Sequence, residues 1–136
     1  DVDGATSSAL LTQYFHAVGG KSIVHIPDRM KEGYGPNAPA LLALKGKGAS
    51  VVITVDCGTL AFEPLEVAHA AGLDVIVIDH HQGEARLPKA YAVVNPNRLD
   101  ETSPHRHVAA VGMAFLLVVA VNRLLREQGM NVPDLK

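Results

Sequence analysis

Four short segments of this sequence carry acidic, imidazole or guanidinium side chains that could act together chemically. The segments contain Asp1 and Asp3, then Asp28 and Arg29, then Asp56, and finally the run 79–81, which reads Asp-His-His. Carboxylates that lie close together without matching positive charge raise each other's pKa, so such a group is costly unless a cation neutralises it. Carboxylates with one or two imidazoles suit Mn²⁺ or Mg²⁺, and a pair of such ions about 3.5 to 4 Å apart activates water for attack on phosphorus. If the segments meet in space, they predict metal-dependent phosphoester hydrolysis.

Each segment also has a structural interpretation. An Asp-x-Asp-Gly sequence is common in turns and calcium loops, but in an EF-hand register its bidentate Glu would fall at residue 10, which is Leu10. The EF-hand is therefore excluded. Asp56 could simply cap the helix that follows it. The run 79–81 consists of three consecutive titratable groups directly after an apolar strand. Such groups have no use in packing, so we expect the run to be functional.

Three further features are secondary candidates. We expect Cys57 to be a small buried residue rather than a nucleophile, because no activating partner is evident and strand alternation points it away from the neighbouring aspartate. His105 and His107 flank Arg106 before the longest predicted helix, where cations could meet a phosphate at the helix amino terminus. Gly112 within that helix indicates close approach of another backbone or a ligand, with packing as the simpler cause.

Apolar runs of strand length alternate with amphipathic helical stretches, a pattern typical of repeated βα units. Strands are expected over residues 22–26, 51–55, 75–78 and 90–94, and helices over 5–18, 38–44, 63–71 and 108–128. We therefore predict an α/β fold with a mostly parallel sheet of about five strands and helices on both faces. The carboxyl ends of such strands line a crevice, so the polar segments would converge there.

Composition limits the remaining classes of protein. The chain has 136 residues, 48% of them apolar and 19% charged, which suits one compact domain. A single cysteine and the lack of a signal peptide lead us to expect a cytoplasmic protein. The longest apolar run, 108–121, has 14 residues, fewer than the roughly 18 to 20 that cross a bilayer, so we expect no membrane association. A net charge of −2 gives no overall attraction to nucleic acid, so an anionic substrate must be held locally.

Four motifs resemble, in order, those of the DHH phosphoesterase superfamily. They are Asp-Val-Asp-Gly at residues 1–4, Val-Asp-Cys-Gly at 55–58, Asp-His-His at 79–81 and Ala-Val-Gly-Met-Ala-Phe at 110–115. Within the superfamily, Glu-Gly-Tyr-Gly at 32–35, the block 54–59 and Val-Asn-Pro-Asn-Arg at 94–98 most resemble the RecJ single-strand-specific DNA exonucleases. The resemblance covers nearly the whole chain. It implies an enzyme with two Mn²⁺ or Mg²⁺ ions that removes nucleotides from the 5′ end of single-stranded DNA in recombination and repair, with replication and repair proteins as candidate partners.

The same resemblance implies a set of metal ligands. Carried over position by position, Asp1 would hold one ion, and Asp3 and His80 would hold the other. Asp56 would bridge both ions and so take part directly in catalysis.

Three more residues acquire roles from the resemblance. His81 would face the scissile phosphate and stabilise its developing charge. Asp79 would orient the histidines without binding a metal ion itself. Arg29, which precedes the Glu-Gly-Tyr-Gly motif, would grip a DNA phosphate.

Some family features are absent from the sequence. A metal-binding His of the family would precede Asp1, its last metal-binding Asp would follow Lys136, and the carboxy-terminal substrate-binding domain is missing. We expect residues 1–136 to be a single DHH-type catalytic domain truncated at both ends, with feeble metal binding and no useful nuclease activity alone.

Two other functions remain open at this point. The first is a different DHH-type phosphoesterase that acts on short RNA, cyclic dinucleotides or pyrophosphate with the same metal core. The second is a module without catalytic activity that binds a nucleotide or a partner protein through a similar crevice.

Overall fold

The computed structural model describes residues 1–135, and the expected truncation beyond Lys136 lies outside the described residues. The helices and strands of these residues are, in chain order, α1 Val2–Ala17, α2 Arg29–Glu32, α3 Ala38–Gly46, β1 Val51–Val55, α4 Phe62–Ala70, β2 Asp74–Ile78, β3 Ala92–Val94 and α5 Ala110–Glu127. Within residues 1–135, no helix combines the length and the apolar character needed to cross a bilayer.

The sheet is parallel, with the order β1-β2-β3. Val51 pairs with Asp74 at the start of the first pair of strands, and Val55 pairs with Ile78 at its end. The last residues of β1 and β2 therefore lie side by side, and the loops that follow them leave the sheet at the same edge. The predicted α/β class and the parallel arrangement are confirmed.

The predicted number of strands is not confirmed, because residues 1–135 form three strands rather than about five. Residues 22–26, predicted as a strand, pair with no strand in the described part of the chain. Ile23, Val24 and Ile26 are 49% to 71% exposed. A β-branched segment forms a strand when it packs on a neighbouring pleated surface, and this segment has no such neighbour.

Helices cover both faces of the sheet, and each face has its own apolar core. On one face, Val75 and Val77 of β2 pack with side chains from α3 and α4. On the other face, Ile53 and Val55 of β1 pack against residues of α1 and α5, namely Leu11, Tyr14, Ala114 and Val118. Burial of each large aliphatic side chain contributes about 1.5–3 kcal/mol, so the two cores hold the strand ends in a fixed relation.

Helix α1 begins three residues earlier than predicted, at Val2 rather than at residue 5. The cause is the side chain of Asp1, whose Oδ1 accepts a hydrogen bond of 3.0 Å from the backbone N–H of Gly4. An aspartate in this position caps a helix and satisfies one of its free N–H groups. The first turn of α1 consequently carries Asp3.

The turn after β1 has two unusual backbone conformations. Asp56 has a φ of 60°, and its N–H donates to Ile78 O at 3.0 Å, which ties the turn to the end of β2. Gly58 has a φ of 113°. A Cβ at Gly58 would lie 2.7 Å from Oγ1 of Thr54 and 3.1 Å from a methyl group of Val77. Gly58 therefore supplies both the backbone freedom and the space that this turn requires.

We expect Gly58→Ala to destabilise the fold by about 2–5 kcal/mol, because a positive φ costs about 1–2 kcal/mol and a core clash adds about 1–3. Gly48→Ala is the matched control, since Gly48 also has a positive φ but open space around it. Urea unfolding monitored by circular dichroism measures both losses. Equal losses in the two variants would contradict the steric argument.

Candidate metal centre

An open pocket of about 430 Å³ lies at the carboxyl ends of β1 and β2. The residues that line it are Asp1, Val2, Asp3, Asp56, His80 and His81. Three of the four acidic and imidazole segments noted in the sequence therefore meet at one place. The fourth segment, with Asp28 and Arg29, does not line the pocket.

Asp56 occupies the centre of this arrangement. Its side chain is buried, and Oδ1 lies 3.1 Å from Nε2 of His80. A Cβ on Gly4 would lie 3.9 Å from Oδ2 of Asp56, so the first turn of α1 comes close to this carboxylate. Asp56 does not cap the next helix, because the N-cap of α4 is Ala61, with no side-chain hydrogen bond. The capping interpretation of Asp56 is wrong, and its carboxylate is directed at His80 instead.

Asp56, His80 and His81 each offer one ligand atom, and these atoms all lie within 4.8 Å of one another. Two ligands at right angles around an ion, each about 2.1 Å from it, are about 3 Å apart. The 3.1 Å between Asp56 Oδ1 and His80 Nε2 matches that separation. A carboxylate with imidazoles is a donor set that suits Mn²⁺, so the residues present fit a divalent cation.

Asp1 and Asp3 line the pocket from the first turn of α1. One carboxylate oxygen of Asp1 caps the helix, which leaves its second oxygen for another partner. The positive end of the helix dipole favours negative charge at this position. Both residues therefore bring a carboxylate to the pocket.

Asp79 lies behind the histidines and is 2% exposed. Its Oδ2 accepts a hydrogen bond of 3.1 Å from the backbone N–H of Thr59, and Oδ1 accepts from the backbone N–H of His80 at 2.8 Å. Oδ1 also lies 2.7 Å from Nδ1 of His81. Burial alone would raise the pKa of Asp79, but the hydrogen bonds from Thr59, His81 and His80 outweigh it and lower that pKa.

An ionised carboxylate can only accept hydrogen bonds, so the proton between Asp79 and His81 resides on Nδ1 of His81. This bond fixes the plane of the His81 ring. The other ring nitrogen, Nε2, remains for a second partner.

Tyr34 reaches the site from the loop after α2, a position that sequence reasoning did not assign to the site. Its hydroxyl donates to the backbone carbonyl of Asp56 at 2.7 Å and lies 3.4 Å from Nε2 of His81. Burial, with the negative charges of Asp56 and Asp79, raises the pKa of Tyr34 to about 12, so the hydroxyl stays protonated and donates. The signal in the sequence was the Glu-Gly-Tyr-Gly motif at residues 32–35.

Arg29 lies beside the site rather than in the pocket. Its guanidinium is 5.3 Å from the ring centroid of Tyr34, a cation–π contact. The Glu32 carboxylate holds this loop, because it accepts hydrogen bonds from the backbone N–H of Asp28 at 2.8 Å and from the side chain of Asn37 at 3.1 Å. The guanidinium of Arg29 is therefore connected to the site through Tyr34, which contacts Asp56 and His81.

Two asparagines after β3 were also missed as site residues. Asn95 donates to the side chain of Thr59 and to the backbone carbonyl of His81, both at 2.8 Å. Asn97 donates to the backbone carbonyl of His80 at 2.5 Å. The sequence signal was the Val-Asn-Pro-Asn-Arg motif at residues 94–98. Its first four residues are uncharged, so they did not indicate a metal site.

The secondary candidates have simple structural explanations. Burial, with the charges of Asp79 and Asp56, raises the pKa of Cys57 to about 12, so its thiol stays protonated and is a poor nucleophile. A Cβ on Gly112 would lie 2.4 Å from a methyl group of Val108, which accounts for the glycine by packing. Arg106 donates to the backbone carbonyl of Glu101 at 3.0 Å, and a phosphate near this segment stays a prediction.

The fold and the site define an α/β domain with acidic and imidazole side chains at the carboxyl edge of a parallel sheet. The chain matches the family described as "DHH family, N-terminal domain" over residues 1–135, and it belongs to this family. The predicted membership of the DHH superfamily is therefore confirmed.

Relatives of known activity are single-stranded-DNA-specific exonucleases. The RecJ protein of Bacillus subtilis (strain 168) is 41% identical over 121 residues, which cover 89% of this chain and 15% of that protein. RecJ of Escherichia coli (strain K12) is 38% identical over 130 residues, which cover 95% of this chain and 22% of that protein. The chain thus spans less than a quarter of the length of these two relatives.

Solved structures of similar proteins contain manganese. The crystal structure of exonuclease RecJ bound to manganese superposes with a TM-score of 0.79 at 31% identity, covering 98% of this chain and 33% of that one. RecJ from Thermus thermophilus in complex with Mn²⁺ gives a TM-score of 0.70 at 27% identity, covering 98% of this chain and 18% of that one. This chain is similar in fold to both.

We expect Asp79→Asn to destabilise the protein at pH 7 by about 1–3 kcal/mol, because the amide leaves buried N–H donors without an acceptor. The folded-state pKa of Asp79 is lowered. Its contribution is therefore complete above the unfolded pKa of about 3.9, and it is lost as the pH falls through the lower folded value. The difference between wild type and variant should narrow below about pH 4.

Urea unfolding at pH 7 and at pH 3 measures this difference. Asp74→Asn is the matched control, because Asp74 is exposed at the opposite end of β2. A loss of stability that is equal for the two variants at pH 7 would contradict the assignment of Asp79 as a buried acceptor.

Proposed function

We propose that this chain carries the catalytic centre of a metal-dependent exonuclease that hydrolyses single-stranded DNA from its 5′ end. The observation that carries the proposal is the cluster of Asp56, His80 and His81, whose ligand atoms lie within 4.8 Å of one another in a member of the DHH family. The relatives named above are exonucleases specific for single-stranded DNA, and the similar structures contain manganese. The activity is proposed for the natural protein that contains these residues.

The proposed ligands are four of the residues that line the pocket. Asp1 would hold one ion, Asp3 and His80 would hold the other, and Asp56 would contribute to both. Mn²⁺ or Mg²⁺ bound here supplies a water of lowered pKa and neutralises charge on the phosphate. The burial of Asp56 supports its role, because a buried carboxylate gains most from a cationic partner.

His81 is proposed to face the scissile phosphate. Oδ1 of Asp79 accepts a hydrogen bond of 2.7 Å from Nδ1–H of His81, which fixes the ring. The Nε2 side of the ring lies at the pocket, next to the hydroxyl of Tyr34 at 3.4 Å. In the form that carries a hydrogen on Nε2 as well as on Nδ1, an imidazole fixed at this position would donate to the phosphate and stabilise the charge that develops there, without reorganisation during the reaction.

Arg29 is proposed to hold a phosphate of the DNA. Its guanidinium is exposed at the side of the site, and its contact with the Tyr34 ring restricts where it can move. Guanidinium groups bind phosphate through two parallel hydrogen bonds, so Arg29 is suited to hold a backbone phosphate beside the site.

The biological setting forms part of the same proposal. An exonuclease of this kind acts in recombination and repair, in the cytoplasm, with replication and repair proteins as partners.

The proposal predicts that Asp56→Asn in the natural protein lowers Mn²⁺-dependent hydrolysis of 5′-labelled single-stranded DNA by about 10³-fold or more, because metal stabilisation of the transition state is worth several kcal/mol. Release of labelled mononucleotide measures the rate. The control is Asp74→Asn, which removes an exposed carboxylate at the far end of β2.

Three results would contradict the proposal. They are activity of Asp56→Asn close to that of wild type, hydrolysis without a divalent ion, and a preference for pyrophosphate or dinucleotides over single-stranded DNA. A substrate blocked at its 5′ end and another blocked at its 3′ end determine the direction in the same assay.

A further inference from the structure

The loop after β3 holds both histidines through their backbones. We propose that Asn95 and Asn97 are positioning residues, with Asn95 setting His81 and Asn97 setting His80. The proposal rests on the proposed function, because it takes His80 as a metal ligand and His81 as the group that faces the phosphate. It assigns a separate task to each asparagine of the Val-Asn-Pro-Asn-Arg motif.

Asn95 is buried, 3% exposed, and its side-chain groups are all engaged. Its Nδ2 donates to Oγ1 of Thr59 and to the carbonyl of His81, both at 2.8 Å, and its Oδ1 accepts from the backbone N–H of Asn97 at 2.8 Å. The side chain cannot rotate without breaking all three bonds. Thr59 in turn donates its N–H to Asp79, which binds the ring of His81. His81 is consequently held at its backbone and at its ring by one connected network.

Asn97 holds the neighbouring histidine in a parallel way. Its Nδ2 donates to the carbonyl of His80 at 2.5 Å and to the carbonyl of Arg106 at 3.1 Å. The ring of His80 is held separately, by the contact of Nε2 with Asp56. Asn97 also joins the loop before α5 to the loop after β2, so both segments set the position of His80.

The short third strand explains why side-chain amides are needed here. β3 has three residues, and Val94 at its end is 40% exposed, so packing holds this edge weakly. An amide group supplies two N–H donors on a short side chain. An aspartate of the same shape has no donor for these carbonyls, and a leucine would leave them unpaired.

The test compares Asn95→Ala and Asn97→Ala with Asn122→Ala in the natural protein. Asn122 is a matched control, because it is also 3% exposed and also bridges two groups, accepting from the Tyr14 hydroxyl at 3.2 Å and donating to the Pro133 carbonyl at 3.3 Å. It lies on α5, away from the pocket. Its loss should affect stability alone.

Mn²⁺ affinity, from the electron paramagnetic resonance signal of free Mn²⁺, separates the two tasks. We expect Asn97→Ala to weaken Mn²⁺ binding by about 10- to 100-fold, the usual effect of losing a group that orients a metal ligand. Asn95→Ala should lower kcat on single-stranded DNA by about 10- to 100-fold, with a smaller loss of Mn²⁺ affinity than Asn97→Ala, because Asn95 bonds to His81 directly and to Asn97 only through its backbone N–H. Asn122→Ala should match wild type in both quantities once the folded fraction is taken into account.

A second readout needs no metal. In protein labelled with ¹⁵N-histidine, the Nδ1–H signal of His81 reports its bond to Asp79. Asn95→Ala should broaden or abolish that signal, while Asn122→Ala keeps it. If Asn95→Ala does not fold, Asn95→Ser, which retains one hydroxyl donor, takes its place in every measurement.

The outcomes are distinct for the two proposals. Wild-type protein that neither binds Mn²⁺ nor cuts DNA contradicts the proposed function, and the His81 signal still decides the positioning role of Asn95. Variants of Asn95 and Asn97 that match Asn122→Ala in affinity, kcat and the His81 signal overturn the positioning proposal. Equal losses of Mn²⁺ affinity in both variants overturn the division of tasks.

Discussion

Two carboxylates buried side by side at the edge of the sheet are the constraint on which this structure depends. Asp56 is 6% exposed and Asp79 is 2% exposed, and an ionised carboxylate in such a place is costly unless it is compensated. The protein itself compensates Asp79, with backbone N–H groups and the ring of His81. Asp56 instead faces His80 and the pocket, where a cation is the natural counter-charge. The contrast separates an acid that the protein itself compensates from one that is proposed to bind a metal ion.

The fold could be predicted from the sequence where local pattern and tertiary structure agree. β1 matches its predicted range 51–55, because a continuous β-branched run is typical of a strand covered on both faces. The same pattern failed at residues 22–26, because no strand among residues 1–135 pairs with this segment. The start of α1 was predicted three residues too late, because Asp1 was considered only as a metal ligand. Its side chain also caps the helix. Local sequence reveals propensity but not the partner that makes use of it.

The candidate site divides in the same way. Charged and imidazole residues after strands are visible in sequence, and their meeting at one pocket follows from the geometry of parallel strands. Tyr34, Asn95 and Asn97 were not visible as site residues, because each acts through a backbone carbonyl far away in the chain. Tyr34 binds the carbonyl of a residue 22 positions away, and Asn95 one that is 14 positions away. No local spacing rule reports such contacts.

The wide separation of these groups also has a consequence for folding and stability. The pocket is lined by the first turn of α1 and by residues that follow two strands. In the loop after β3, Asn95 donates a hydrogen bond to Thr59, which lies 36 positions earlier in the chain. Contacts of this range form late in folding, so the centre is complete only after the sheet and α1 have docked together. A cation captured there would bind the native state alone, and its affinity would add to the stability of the entire domain. A bound metal ion would therefore stabilise the folded domain as well as take part in the proposed reaction.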